Sequence, residues 1–565
     1  MNLKQSLTRL YYNIVVLAVL LLGGIFFIHG LMLMNSDIST LNPKIVLGVS
    51  HLPQYLFRTG MRFIVSMIFS ILVAIVTGSL AAKNQRMAYI LMPLVDVLQA
   101  IPILGFLSFT VMFFVGLAPN TVLGVEMAII FATFTSQAWN MIMSVYQSLL
   151  SVPLDLYDTA KAYKLNKWQI FWKMEIPFCM PGLVWNSILS MCASWYFVVA
   201  GEVVCVGVHD YKISGIGAYI ALALKNMDFQ SVFYAFLGIV FLSIIFNEFF
   251  FKPFVAWSSK FRYEFAISGS SKYESWLFDY LSRADVTILL TAPLNFIKNL
   301  VLSASLPRIV SRNIRIFAVF FESMWWVFVA ICLWSIYKSV YSLIVGKFGY
   351  SELVEVIKLG LITTVRVFAT AILASIFLIP FGIYVGVRPK LAAIIQPINL
   401  FLTSVPANLY YPLFVILIVK YNLNVNIWLS YVIMTGSMSY ILYNVISGAQ
   451  TIPTELLEVA DVFKLSKFWK LFKITIPAIL PFYLTGFMTC TGASWNASVV
   501  SEIVKWGNTT LVADGLGSYI AIHTRNGDFA EIALGLIIMT ILVLLTNTIA
   551  LKPLYSFIST RFRLE

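Results

Sequence analysis

The stretch PLDLYDTAKAYKLNKWQIFWKMEIPFCMP at residues 153–181 returns 300 residues later as PTELLEVADVFKLSKFWKLFKITIPAILP at residues 453–481. The two copies align without a gap. The identical pairs are Leu156/Leu456, Ala160/Ala460, Lys164/Lys464, Leu165/Leu465, Lys167/Lys467, Lys173/Lys473, Ile176/Ile476, Pro153/Pro453, Pro177/Pro477 and Pro181/Pro481. Chance does not readily produce such a match, so the sequence predicts an internal duplication.

Each copy is predicted to form two short helices. Leu156, Ala160 and Tyr163 recur at helical spacing, which gives the first helix one apolar face and turns its acidic side chains away from it. Asn166 and Ser466 are good N-cap residues for the second helix. In the first copy, Gln169 lies where the partner of a capping box would reach back, and a proline then limits the helix.

This pattern resembles the cytoplasmic EAA loop of ABC-importer permeases. The resemblance places the acidic and alanine positions of the motif on Asp158, Thr159, Ala160, Glu458, Val459 and Ala460. In that family the loop docks in a groove of an ATPase subunit, which implies ATPase-coupling roles for Asp158, Ala160, Lys164, Glu458, Ala460 and Lys464. The family usually has glycine where this chain has Lys164 and Lys464, and a left-handed turn at lysine costs roughly 1 kcal/mol.

The composition indicates a polytopic membrane protein. Of 565 residues, 60% are hydrophobic and 11% are charged, and the mean hydropathy is +0.89, so too little polar surface exists to cover a soluble domain. The net charge of +13 is explained by membrane orientation, because the basic residues lie between apolar runs. The five cysteines show no metal spacing and are interpreted as packing residues.

Apolar runs of spanning length predict twelve transmembrane helices. They lie near residues 11–34, 58–82, 89–116, 120–147, 179–205, 232–255, 314–344, 358–387, 391–419, 425–448, 479–504 and 530–553. With the N-terminus inside, the inside segments hold 26 of the 38 Lys and Arg residues. This bias predicts that both termini and both repeated loops are cytoplasmic, in a bacterial inner membrane.

The duplication predicts an all-α fold of two parallel six-helix repeats, like a type I ABC-importer permease. We expect a first permease module at residues 1–255 with its coupling loop at 153–177, and a second at 314–565 with its loop at 453–477. A cytoplasmic linker is expected at 256–313. Upstream positions such as Arg62/Arg366 and Asn140/Asn444 match at an offset of 304, whereas positions from Pro153 onward match at 300. We therefore expect the first module to be four residues longer between Asn140 and Pro153.

The fifth span of each module suggests a substrate pathway, because charge inside a bilayer is costly. Trp195 and Glu202, like Trp495 and Glu502, are seven residues apart and share a helix face. With the downstream motifs at Gly215 and Gly515, this spacing resembles the nitrate/sulfonate/taurine branch, in which the fifth span lines the pathway. Alternatively, each glutamate pairs with a basic residue such as Arg62 or Arg366 and holds helices together.

Asp96 and Gln99 in the third span are further pathway candidates, without acidic or amide counterparts in the second module. Pro102 and Pro406 are expected to kink that span. The basic outer-end residues Arg58, Arg62 and Arg366 are compatible with attracting an anion.

These features favour the permease subunit of an ATP-driven importer for a small anion such as a sulfonate, nitrate or bicarbonate. The sequence contains no phosphate-binding loop, so ATP hydrolysis is assigned to two copies of a partner ATPase, and neither enzyme activity nor a cofactor is expected of this chain. A separate substrate-binding protein is a further expected partner. The alternatives are an ion-gradient-driven transporter that uses Glu202 and Glu502, and a membrane scaffold without transport activity.

Overall fold

The computed structural model describes residues 44–118, 121–206, 209–261, 275–283, 348–452 and 462–561, with single positions at 28, 32, 330, 331, 334, 338, 456, 458 and 460. Two compact units are present. One comprises Met1–Phe26, Ser144–Trp185 and Glu248–Glu355, and the other comprises Phe27–Met143, Asn186–Asn247 and Val356–Glu565. The first repeated loop therefore lies in the smaller unit, and most of both sets of membrane helices lie in the larger one.

The described residues of the first half are mostly helical. Its elements are α1 (Leu52–Lys83), α2 (Gln85–Ala100), α3 (Ile103–Leu117), α4 (Leu123–Leu150), α5 (Leu154–Ala162), α6 (Lys167–Ile170), α7 (Ile176–Gly201), β1 (Val203–Val206), β2 (His209–Lys212), α8 (Ile216–Lys225), α9 (Phe229–Phe246), α10 (Lys252–Ser258) and α11 (Trp276–Arg283).

The second half repeats this order. Its elements are α12 (Tyr350–Gly386), α13 (Pro389–Thr403), α14 (Tyr411–Lys420), α15 (Val425–Ser437), α16 (Ser439–Gln450), α17 (Lys467–Lys470), α18 (Ile476–Ser501), β3 (Ile503–Trp506), β4 (Thr509–Val512), α19 (Leu516–Asn526), α20 (Phe529–Leu545) and α21 (Lys552–Arg561). The repeated element order confirms the predicted two-repeat, helical membrane fold.

Ten of the twelve predicted spans have helical counterparts. Six helices are long and apolar enough to cross a membrane alone, and counting each bent helix pair as one span gives up to ten. The predicted spans at 11–34 and 314–344 lie almost entirely outside the described residues. In the larger unit, α12, α16 and α18 share a core that includes Ala374, Ile441 and Cys490.

The third span of each half is broken rather than merely kinked. The axes of α2 and α3 differ by 100°, and the corresponding angle in the second half is 90°. Each break contains a proline, Pro102 or Pro406, as expected, because proline cannot donate the helical hydrogen bond and restricts the residue before it. The freed amide of Ile103 is satisfied by the Asn496 side chain, whose Oδ1 lies 2.9 Å away.

Wide π-helical turns precede prolines at equivalent places in the two halves. They span Phe171–Glu175, Asn247–Phe251, Leu471–Thr475 and Thr546–Leu551. A proline ring clashes with the carbonyl four residues before it, and a wide turn at that point gives the carbonyl room. The four turns therefore follow from prolines 177, 253, 477 and 553.

Two antiparallel hairpins that we did not predict follow the fifth spans. In the second, Ile503 pairs with Val512 and Trp506 with Thr509, across a turn in which Gly507 has a φ of 57°. A glycine followed by asparagine is a strong two-residue hairpin signal, because the turn that fits strand twist needs positive φ. The first hairpin has the same register, from Val203 with Lys212 to Val206 with His209.

The four-residue length difference is not where we expected it. The fourth spans end at equivalent positions, Leu150 and Gln450, and Glu126 and Asn426 near their starts contact equivalent arginines. The offset is therefore already 300 at the start of the fourth span. The extra residues of the first half lie before it, where an insertion lengthens a connection and leaves helix packing unchanged.

Candidate functional site

The first repeated loop is built around a left-handed lysine. Helix α5 ends in a Schellman motif: Leu165 N donates to Ala160 O over 3.1 Å, and Lys164 N donates to Lys161 O over 2.8 Å. This motif requires positive φ at the residue after the C-cap, and Lys164 has a φ of 54°. The chain thus forms the turn that the motif's usual glycine would form, and it does so with lysine.

The second helix of this loop is fixed by the predicted capping box. Gln169 N donates to Asn166 Oδ1 over 2.7 Å, and Asn166 N donates to Gln169 Oε1 over 3.1 Å. Both hydrogen bonds satisfy amides at the start of α6 that have no helical partner. The capping box inferred from the sequence is confirmed.

The second loop repeats this geometry where it is described. Lys464 has a φ of 51°, and Leu465 N donates to Ala460 O over 3.0 Å. Ser466 Oγ accepts from Trp469 N over 3.4 Å at the start of α17. Val459 lies outside the described residues. The two loops, 300 residues apart, thus contain the same left-handed turn, although this conformation is unfavourable for lysine. Its presence in both loops indicates that the geometry of the turn is important.

Within each loop, the alanines are buried and the aromatic residues before the turn are exposed. Ala160 and Ala460 are 5% and 0% exposed, whereas Tyr163 and Phe463 are 78% and 74% exposed. Asp158, Lys164, Glu458 and Lys464 are also exposed, and Asp158 pairs with Lys161 at the surface over 2.9 Å. The small alanine allows the helix to pack, and the surface offered to a partner comes from the aromatic and charged side chains.

One polar contact links the two helices of the first loop. Tyr157 Oη donates a hydrogen bond to Glu175 Oε1 over 3.2 Å. Burial, and then the nearby Glu175 carboxylate, raises the pKa of the Tyr157 phenol to about 12, so the phenol stays protonated and donating.

A second repeated arrangement surrounds Glu202, and we call it the Glu202 cluster: Thr59, Arg62, Glu126, Glu202 and Gly217. The Glu202 carboxylate accepts from Thr59 Oγ1 over 2.6 Å, from an Arg62 amino group over 2.5 Å and from Gly217 N over 2.6 Å. Arg62 also makes a bidentate contact with Glu126, with distances of 2.6 and 2.7 Å. All four side chains are at most 2% exposed.

The Glu502 cluster, formed by Thr363, Arg366, Asn426, Glu502 and Ser518, reproduces most of this geometry. Glu502 accepts from Thr363 over 2.9 Å, from Arg366 over 2.5 Å and from Ser518 N over 3.0 Å. Two partners differ: the amide comes from Ser518, one residue beyond the equivalent of Gly217, and an asparagine replaces Glu126. Asn426 occupies the position of Glu126, and its Oδ1 lies 3.4 Å from Arg366. The second arginine thus contacts one carboxylate among the described residues, whereas the first contacts two.

These clusters explain the glycine motifs that follow each fifth span. A Cβ on Gly215 or Gly515 would overlap the glutamate carboxylate, and one on Gly217 would overlap Val199 O. Because these positions lack a side chain, the first turns of α8 and α19 can close on the carboxylates. Each glutamate then accepts an amide at a helix N-terminus, where negative charge is favoured.

The ion pair that was one of our two interpretations of Glu202 and Glu502 is therefore present in both modules. Each carboxylate is 0% exposed and neutralised by an arginine. Arg62 and Arg366 are also buried, at 1% and 7% exposed, and each is already paired with a carboxylate. A role of the glutamates in transport stays a prediction, and the geometry itself shows a structural bond between helices.

The remaining pathway candidates lie in different environments. Trp195 and Trp495 are buried, and Trp195 stacks on Phe63 with a centroid distance of 4.5 Å. Asp96 is partly exposed and pairs with Lys552 over 2.7 Å, while Gln99 is exposed. The structure brings Trp195 into the helix core near the Glu202 cluster and leaves Asp96 and Gln99 on another surface of the larger unit.

Sequence reasoning missed two groups of the clusters. Thr59 and Thr363 match at the same offset as Arg62 and Arg366, and this repeated Thr-x-x-Arg pair was a usable signal. Glu126 has no acidic counterpart in the second half and contacts an arginine 64 residues away in sequence, so no local pattern marks it.

A family profile described as binding-protein-dependent transport system inner membrane component matches residues 70–251 and again residues 378–563. The two matches fall on the two repeats.

Several proteins are similar to parts of the chain. The bicarbonate transport system permease protein CmpB of Synechococcus elongatus is 33% identical over 135 residues, which cover 24% of this chain and 47% of CmpB. The nitrate import permease protein NrtB of Leptolyngbya laminosa is 29% identical over 196 residues, or 35% of this chain and 65% of NrtB. ProW of Escherichia coli, a glycine betaine/proline betaine transport system permease protein, is 26% identical over 184 residues, or 32% and 48%. The chain spans about half to two thirds of the length of these relatives.

Proposed function

The chain belongs to the family of binding-protein-dependent transport system inner membrane components, multi-pass proteins of transport systems, and we propose that it unites two permease modules of an ATP-driven importer. In this proposal the described helices form the transmembrane pathway. Closure of ATPase subunits on the loops at 153–177 and 453–477 changes which side of the membrane the pathway faces.

The observation that carries the proposal is the repeated loop. Both copies have a buried alanine, an exposed aromatic residue and a left-handed lysine in the same order. An exposed aromatic side chain beside a rigid turn is suited to insertion into a partner's groove, because aromatic anchors supply much of the binding energy of an interface. Two such loops in one chain suit two copies of the same ATPase.

The domain arrangement and orientation are parts of the same proposal. The family matches at 70–251 and 378–563 support modules at 1–255 and 314–565, joined by a linker at 256–313. Both termini and both loops are assigned to the cytoplasm, in agreement with the excess of lysine and arginine in those segments.

The proposed substrate is a small anion. CmpB and NrtB are named for bicarbonate and nitrate, and they support this class, whereas ProW is named for betaines. Delivery by a separate substrate-binding protein is also proposed, because the family is named for dependence on one.

The direct test is purification of the tagged chain from its native membrane, with identification of the proteins that remain bound. We expect an ATPase with a phosphate-binding loop, at two copies per chain. Combined Tyr163→Ala and Phe463→Ala substitutions should abolish its recovery. Tyr350→Ala is the matched control, because Tyr350 is 84% exposed but lies outside the loops. Recovery of no ATPase with the wild-type chain, or full recovery with the double variant, would count against the proposal.

Ala160→Arg and Ala460→Arg, the changes that the motif itself suggests, should also prevent ATPase association. Because both alanines are buried, these substitutions should prevent association by disturbing the fold of the loop, and not by removing a contact with the ATPase. Increased protease cleavage within the loop would distinguish this effect from the loss seen with Tyr163→Ala and Phe463→Ala.

The alternative of a gradient-driven transporter has no support from the family or from the similar proteins. Its coupling residues would be Glu202 and Glu502, which are each fully buried and bonded to arginine. Uptake into membrane vesicles that requires ATP and persists after collapse of the proton gradient would exclude it.

A further inference from the structure

The two modules differ in the side chains around the buried arginine, and a cavity lies beside this arginine in the second module. In the first module, the Glu126 carboxylate lies against Arg62, and Arg58 contributes a second positive charge near both. In the second module, the equivalent positions are Asn426 and Ile362. A cavity of about 360 Å³ opens there between α12 and α15. One water molecule needs only about 10–15 Å³, so the space can hold a much larger group.

Arg366 supplies an unused donor to this cavity. Its two amino groups donate to Glu502, Asn426 and the Asp514 carbonyl. No described residue accepts a hydrogen bond from its Nε, although the arginine is 7% exposed and lines the cavity. In the first module the same Nε donates to Glu126 over 2.6 Å. An acidic group in the cavity would restore the arrangement that the first module builds from its own side chains.

A carboxylate that the first module lacks at the equivalent position contacts Asn426, which lines the cavity. Asp514 replaces Ser214, is exposed, and accepts from Asn426 Nδ2 over 2.9 Å. An occupant with only negative charge would be repelled by this carboxylate. An occupant with an acidic group for Arg366 and a cationic group for Asp514 satisfies both sites.

Apart from Thr370, Ser430 and Tyr431, the rest of the lining is apolar, and part of it is exposed. It includes Ile362, Val365, Leu373 and Ile427, and Val365 and Ile427 are 68% and 58% exposed. These residues continue along α12 for about three turns, or roughly 16 Å. Such a surface suits a hydrocarbon chain that lies against the helix within the bilayer.

We propose that this cavity binds a zwitterionic phospholipid, with its phosphate on Arg366, its ammonium group at Asp514 and an acyl chain along α12. The site belongs to the second module alone, because Glu126 fills the equivalent space in the first.

The experiment is native mass spectrometry of the purified full chain after delipidation, titrated with phosphatidylethanolamine or with phosphatidylglycerol of the same acyl chains. We expect preferential binding of phosphatidylethanolamine. Asn426→Glu should place a carboxylate on Arg366 and weaken that binding about tenfold, since a hydrogen bond to a charged group contributes on this scale. Asp514→Asn should remove the preference between the two headgroups. Glu355→Gln, an exposed change elsewhere on α12, is the control.

A measurement on the unaltered chain keeps the proposal testable if a variant fails to fold. A phosphatidylethanolamine analogue with a photoreactive headgroup should label the peptide that contains residues 426–431. Preference for phosphatidylglycerol, unchanged binding in Asn426→Glu, or capture of a small soluble anion instead of lipid would each overturn the proposal. The proposal would also be overturned if residues 426–431 were not labelled and instead formed a zero-length cross-link to the predicted span at 314–344. That result would show that this span occupies the cavity.

Discussion

Replacing Glu202 and Glu502 separately with glutamine should have unequal effects on stability. Glu502→Gln removes the one carboxylate that Arg366 contacts among the described residues and leaves a buried guanidinium uncompensated. Breaking a buried pair in this way costs about 3–5 kcal/mol. Glu202→Gln leaves Arg62 in its bidentate contact with Glu126. Its cost should be limited to weaker hydrogen bonds at Thr59 and Gly217, about 1–3 kcal/mol.

The expected difference is therefore about 2 kcal/mol in the free energy of unfolding, with Glu502→Gln the less stable variant. It can be measured by denaturant titration of the purified variants in one mixed-micelle composition, with the exposed Glu355→Gln as control. Double variants that also remove the paired arginine should recover part of the loss, most clearly for Arg366 with Glu502.

Equal destabilisation by the two changes would refute the reasoning, because it would show that Glu126 does not compensate Arg62. Wild-type stability in both variants together with lost uptake would refute it differently. That result would show that the two glutamates act in transport and do not hold the helices together.

Three further changes test local parts of the structure. Lys164→Gly and Lys464→Gly together should stabilise the loops by up to about 1 kcal/mol, because glycine adopts positive φ without strain. Protease cleavage of the loops should therefore become slower. Faster cleavage would show that the lysine side chains matter more than the backbone. Gly217→Ala should cost several kcal/mol of folding free energy, since its Cβ would overlap a backbone carbonyl. Gly492→Ala should be tolerated, because a Cβ there meets nothing within 4 Å. Equal expression and equal melting temperature of the two variants would contradict this. Tyr157→Phe should loosen α5 from its neighbouring turn by about 1 kcal/mol, measured by hydrogen exchange of the loop amides, and unchanged exchange would argue against the bond to the Glu175 carboxylate.

The sequence predicted the loops well because their structure is local. The capping box joins residues three apart, and the Schellman turn joins residues five apart, so the same short pattern produces the same geometry in each copy. What the pattern did not show was which side chains are exposed. The helical spacing placed Ala160 and Tyr163 on one apolar face. The structure buries Ala160 but exposes Tyr163, because burial depends on packing against the rest of the chain.

The charged clusters were harder to predict because their bonds are distant in sequence. The pairing of Arg62 with Glu202 was one of two interpretations, and it spans 140 residues. Glu126 has asparagine as its counterpart in the second half, so a comparison of the two halves does not point to it. The misplaced length difference has the same origin: Asn140 and Asn444 align by identity, whereas the helix contacts align Glu126 with Asn426.

The differences between the two halves are distributed unevenly, and this bears on how the proposed importer works. The loops keep the same turn and the same exposed aromatic position, as two identical partners would require. The clusters keep threonine, arginine and glutamate, while Arg58 and Glu126 are both absent from the second half. Arg58 and Glu126 carry opposite charges, so the joint absence of both leaves the paired charges of the second cluster balanced, as in the first. The two halves are therefore alike at the loops, where the ATPase is proposed to bind, and they differ beside Arg366, where the lipid is proposed to bind.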